Sequence, residues 1–82
     1  MKTNSEFKVP RQYSLVVFDT DSISEKAYEE YYGETFPRGK TFIFLGEVPN
    51  ARGHCVLADP ETGKIICLYH TFNFREATDD ET

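Results

Sequence analysis

Two apolar runs, His54 to Ala58 and Lys64 to His70, stand on either side of Asp59-Pro60-Glu61-Thr62-Gly63. Pro60 suits the first corner of a type I turn and Gly63 supplies the positive φ that brings the chain back, so the stretch predicts a β-hairpin. Counting outward from a four-residue loop pairs Ala58 with Ile65, Val56 with Cys67 and Cys55 with Leu68. Because side chains alternate across a strand, this register sends Cys55 and Cys67 to opposite faces and leaves Cys55 and His70 on one face, diagonal to each other. A slip of one residue would reverse both statements.

The rest of the chain is read outward from this unit. Tyr13-Ser14-Leu15-Val16-Val17-Phe18 is short, β-branched and aromatic, and Asp19-Thr20-Asp21-Ser22 stops it, which predicts a buried strand. Ser22-Ile23-Ser24-Glu25 has capping-box spacing, and an amphipathic helix of about three turns is expected from Ile23 to Tyr32, with Ile23, Ala27 and Tyr31 on the buried face and Gly33 ending it. Phe36-Pro37-Arg38-Gly39 marks a turn into a strand from Lys40 to Leu45. Gly46 to Gly53 reads as a loop, and Thr71 to Arg75 as one further short strand with Phe72 and Phe74 on a common face.

With 82 residues there is room for one core, and 39% hydrophobic residues with seven Phe and five Tyr supply enough buriable area to fold without disulfide staples. The expected class is α+β: one amphipathic helix with a four-stranded, mostly antiparallel sheet in the order β-α-β-β-β. The domain is similar in general look to small SH3-like barrels, and a partly open barrel would hide most strand edges. The alternative is an open sheet with the helix across one face. The expected organisation is a loosely held arm over 1–12, a single domain over 13–76 and a fraying acidic tail over 77–82.

Net charge is −5, and its placement matters more than its size. Asp19 to Glu34 holds six acids against Lys26 alone, and Glu76 to Glu81 adds four acids without a base. Such faces repel duplex nucleic acid and anionic membranes. No apolar run reaches the ~18–20 residues that span a bilayer. The N-terminus lacks a secretory apolar stretch and two cysteines are too few for a disulfide framework, so a cytoplasmic protein with free thiols is expected.

Several features invite chemistry. His54, Cys55, Cys67 and His70 are the residue types of a zinc site, but neither pair has knuckle spacing and the hairpin register separates the thiols, so no metal or cofactor is expected. A thiol at Cys55 with His70 as its base has the shared face that nucleophilic catalysis needs, without an evident group to orient the imidazole. Gly39-Lys40-Thr41 lacks both the upstream glycine and the following helix of a phosphate-binding loop. Phe42, Phe44, Phe72 and Phe74 alternate like a base-stacking platform, yet no basic residues interleave them, so core packing is the better account.

Binding residues concentrate on loops held by a rigid sheet, and Glu47, Asn50, Arg52 and His54 lie on a segment pinned by Pro49 and flanked by glycines. Tyr28 and Tyr32, each with an apolar body and a polar tip, are expected as an exposed aromatic pair beside it. The reading that follows is a non-enzymatic protein-interaction module with a protein partner. Two other readings stand beside it: an acidic inhibitor presenting Glu25, Glu29, Glu30 and Glu34 to a basic enzyme, and a thiol- or metal-dependent site at Cys55 and His70. The sequence leaves the partner and the oligomeric state open.

Overall fold

A computed structural model describes residues 8–81 of the chain. Five antiparallel strands form one sheet: β1 (Leu15–Phe18), β2 (Phe42–Val48), β3 (Ala51–Ala58), β4 (Ile65–His70) and β5 (Phe74–Glu76), in the order β4-β3-β2-β1-β5. The α+β class and the antiparallel sheet are as expected. The count is five rather than four because 74–76 pairs with β1, Phe18 opposite Phe74.

β4 and β5 are the two edges, yet only one 3₁₀ turn, Thr71–Asn73, joins them. Laid flat, five strands at ~4.8 Å spacing would hold their edges ~19 Å apart. Three residues rising ~2 Å each cover only about 6 Å. The sheet therefore curls until its edges approach, although among the described residues no ladder joins β4 to β5.

One ring occupies the space so formed. Phe36, fully buried on the β1–β2 connection, lies with its ring centroid 5.5 Å from Phe18, 5.3 Å from Phe42, 4.8 Å from Tyr69 and 5.1 Å from Phe74. It thus touches both edge strands at once. Tyr28 fixes its backbone, donating from the phenol to the Phe36 carbonyl at 2.6 Å. The pair with Phe18 is stacked and the other three are edge-to-face, and aromatic pairs of either kind add about 0.5–1.5 kcal/mol each to the area they bury.

The helix differs from its expected form. α1 (Glu25–Ala27) runs into a π-helical turn (Tyr28–Tyr32) closed by the Gly33 N–H on the Tyr28 carbonyl at 2.7 Å. Ser24, not Ser22, caps it, its hydroxyl accepting from the Ala27 N–H at 3.1 Å. Ser22 belongs instead to a preceding 3₁₀ turn (Thr20–Ser22) capped by Asp19. The wider i→i+5 turn brings Tyr28 and Tyr32 onto the core and swings Tyr31 out, 69% exposed, so Tyr31 leaves the expected buried face while Ile23 keeps its place against the core.

Side-chain contacts tie the chain near both ends of the described residues. Pro10 is buried, and the Arg11 guanidinium and backbone N–H both donate to the Glu76 carboxylate. At the far end, Arg75 donates twice to Glu81 at 2.8 Å, and the Thr78 N–H donates to the same carboxylate. The parts of the expected arm and tail at 1–7 and 82 lie outside the described residues.

Candidate functional site

The turn from β3 to β4 forms as its sequence demands. The Gly63 N–H reaches the Asp59 carbonyl at 2.7 Å with Gly63 at φ +75°, and Asp59 Oδ1 accepts from the Glu61 N–H. The expected pairs Ala58 with Ile65 and Val56 with Cys67 are present. Beyond them β4 carries one extra residue between Cys67 and Tyr69, so Cys55 faces Tyr69 and His54 faces His70. A bulge of this kind reverses the parity of everything past it.

That bulge decides which chemistry is available. Cys55 is fully buried, on the core side with Tyr69, whereas Cys67 is exposed on the outer side. The two thiols stand on opposite faces, as the register predicts. His70, however, leaves the face of Cys55 and joins that of His54, so the expected thiol–imidazole pair is not assembled. Burial also pushes the Cys55 thiol up to about 11, which keeps it protonated and poorly nucleophilic at neutral pH.

The segment from Gly46 to Gly53 is a second hairpin rather than a loop. Val48 pairs with Ala51 around a two-residue turn at Pro49 and Asn50, while Glu47 pairs with Cys55. Arg52, Gly53 and His54 therefore bulge from β3 against no counterpart on β2, and Gly53 takes the left-handed φ of +82° that such a bulge requires. The hairpin is bent at its root. Asn50 and Arg52 are exposed at its tip, and among the described residues Arg52 has no ion partner.

The root of this hairpin meets the end of β4. The His54 and His70 rings lie 4.7 Å apart between centroids, tilted 42°, and His70 lies 5.8 Å from the ring of Phe72. His54 Nδ1 is 3.4 Å from the Arg52 carbonyl, so its imidazole is oriented by its own strand. Phe72 is 49% exposed because the 3₁₀ turn rotates it away from Phe74, contrary to the common face expected for the two. Three aromatic rings thus line one outer strip.

The strip is pinned from beneath. Thr71, 2% exposed, donates from its hydroxyl to Glu47 Oε2 at 2.9 Å, and buried Asn73 accepts from the Ser22 hydroxyl at 2.9 Å. Glu47 is thereby tied to the turn that carries Phe72. Of the residues singled out from sequence, Glu47, Asn50, Arg52 and His54 belong to this one hairpin. Tyr28 does not belong with them: it is 3% exposed, with its phenol spent on the Phe36 carbonyl. Tyr32 packs on Phe18 and Tyr69, at 5.0 and 6.3 Å.

His70 and Phe72 are the members that sequence reasoning placed elsewhere, His70 beside Cys55 and Phe72 on the face of Phe74. Their signal was present in the His-Thr-Phe spacing, but it could be used only once the bulge at β4 was known. A separate open notch of about 340 Å³ lies along Thr20, Asp21, Ile23, Glu25, Tyr28 and Arg38, where Arg38 stacks over the Tyr28 ring at 4.7 Å and pairs with Glu25 at 3.3 Å. Among the described residues no group of three or more His, Cys, Asp or Glu side chains could hold a metal ion, and no helix is long and apolar enough to cross a membrane.

Comparison of the chain with protein-family models, with curated proteins and with solved structures returns no match.

Proposed function

We propose that this chain is a non-enzymatic protein-interaction module on an SH3-like barrel, and that it grips its partner with the bent β2–β3 hairpin and the ring strip beside it. The barrel reading is supported by the strand order β4-β3-β2-β1-β5 and by the single 3₁₀ turn that joins the edge strands. Architecture of this kind carries no activity by itself.

The observation that carries the functional reading is the His54–His70–Phe72 strip, with ring separations of 4.7 and 5.8 Å, held against a rigid root. Exposed Phe with a neighbouring Arg is of the composition enriched where proteins contact one another. Arg52 offers a planar donor fork to a carboxylate or a backbone carbonyl, and Asn50 adds both a donor and an acceptor. The buried, protonated Cys55 thiol favours binding over thiol chemistry.

The test is a photo-crosslinking amino acid placed at Asn50 and, separately, at Glu30 on the helix. A specific adduct from position 50 that disappears with Arg52→Ala or His70→Ala, and that resists added salt, is the expected result. An adduct from position 30 alone, weakening steeply with salt, would transfer the function to the acidic helix face and its Glu29, Glu30 and Glu34.

A further inference from the structure

The bulge in β4 does more than separate His70 from Cys55. It turns His70 onto the outer side, where it stands directly opposite His54 across the β3–β4 ladder with 4.7 Å between ring centroids. The chain's two histidines are thereby paired at the closest spacing that adjacent strands offer. Among the described residues neither imidazole is tied up in an ion pair with a carboxylate.

Two further observations bear on what such a pair can hold. His54 Nδ1 lies 3.4 Å from the Arg52 carbonyl, and since a carbonyl only accepts, that contact places the proton on Nδ1 and leaves the Nε2 lone pair free. An imidazole whose other nitrogen donates to a backbone carbonyl is the usual form of a metal-bound histidine. The ring spacing agrees. Two imidazoles bound to one ion at about 2.0–2.1 Å, meeting at an angle between square-planar and tetrahedral, have centroids ~4.5–5.3 Å apart. The separation of 4.7 Å falls inside that range.

We propose that His54 and His70 hold one divalent transition-metal ion between their imidazoles. Imidazole suits zinc, nickel and copper, whereas magnesium and calcium take oxygen ligands. Two protein donors are fewer than the four of a structural zinc site, so the ion is not a requirement for folding, and its remaining positions stay open to water or to a donor from another molecule. Affinity should follow the usual order for nitrogen ligands, copper(II) ahead of nickel(II) and zinc(II). The net charge of −5 favours the approach of a cation. Binding is a property of the isolated chain and does not depend on the partner reading above.

Zinc chloride titrated into the full chain, first freed of metal by chelation, tests the proposal through the NMR resonances of the imidazole rings. The expected result is joint movement of the His54 and His70 ring signals, saturating at one equivalent below about 1 mM zinc, while magnesium and calcium leave both in place. His54→Ala and His70→Ala should each weaken zinc binding at least ~10-fold. Should either variant unfold, the wild-type shifts and stoichiometry decide alone. Cys67→Ser, which removes the exposed outer thiol, should leave the titration unchanged. Zinc binding lost in Cys67→Ser, zinc binding retained in both histidine variants, or no joint shift up to about 1 mM zinc overturns the proposal. No partner is present in this titration, so its failure is separate from a failure of the crosslinking result.

Discussion

The imidazole of His54 lies 4.7 Å from that of His70, ring centroid to ring centroid, on the outer side of the sheet where β3 and β4 face each other. Neither ring fills the core, since His70 is exposed and His54 half-buried. Truncating either one removes surface contact and leaves the packing beneath untouched. His70→Ala should therefore shift unfolding free energy by no more than about 0.5–1 kcal/mol, as surface substitutions do, while abolishing the partner adduct from position 50. Urea unfolding beside the crosslinking assay checks both halves. A loss of several kcal/mol would make the pair structural.

Phe36 has the opposite profile. Its ring meets Phe18, Phe42, Tyr69 and Phe74, joining the β1–β2 connection to both edges of the curled sheet. Phe36→Ala leaves a cavity that four rigid rings cannot easily close, and a cost of about 3–5 kcal/mol is expected. A domain of this size has little stability in reserve, so the variant should be largely unfolded at 37 °C. Tyr28→Phe, which removes only the hydroxyl bonded to the Phe36 carbonyl, should cost about 1–3 kcal/mol by denaturant melting.

These two sites divide what the sequence disclosed from what it concealed. The β3–β4 turn was legible because Pro60 and Gly63 each impose a backbone angle, and the core positions Phe42 and Phe44 followed from alternation. Both are local signals. The bulge between Cys67 and Tyr69 has no such marker, since no Gly or Pro announces it, and tertiary packing of Tyr69 on Phe36 holds it. The π-helical turn at Tyr28–Tyr32 is equally silent in sequence, because a residue-by-residue period assumes α geometry. Each of these irregularities moved aromatic or imidazole side chains between the core and the surface. The site was therefore half legible: its hairpin was visible, its neighbours on β4 and the following turn were not.

The two thiols differ in a way that chemistry can read. Cys67 stands exposed on the outer face, whereas Cys55 is buried beside Thr71 with its thiol pushed up to about 11. Iodoacetamide on the native protein at pH 7.5 should modify Cys67 and spare Cys55, with Cys55 reacting only on unfolding. The same shift bears on stability. A thiol raised by burial favours the folded state fully below the unfolded value of ~8.5, and that advantage shrinks as pH climbs from there toward 11. Peptide mapping by mass spectrometry settles the first point, and equal labelling of both cysteines would contradict the buried placement.

The tail offers a titration of opposite sign. Hydrogen bonds from Arg75, aided by the Thr78 N–H, hold the Glu81 carboxyl down to about 2. A carboxylate whose folded value is depressed stabilises the folded arrangement above its unfolded value of ~4.3, and that contribution is lost as pH falls toward 2. The 3₁₀ turn Asp79–Glu81 and its bond to Thr78 should therefore release on acidification between these limits, before the aromatic core does. In an NMR titration the Glu81 side-chain carbon should move with a midpoint near 2, and the Thr78 amide should lose its protection over the same range. Arg75→Ala removes the leading cause and should return Glu81 toward the ordinary carboxylate range near ~4.3. A midpoint that stays low in that variant would assign the depression to the Thr78 N–H instead, and would mean that the tail closes on itself without its arginine.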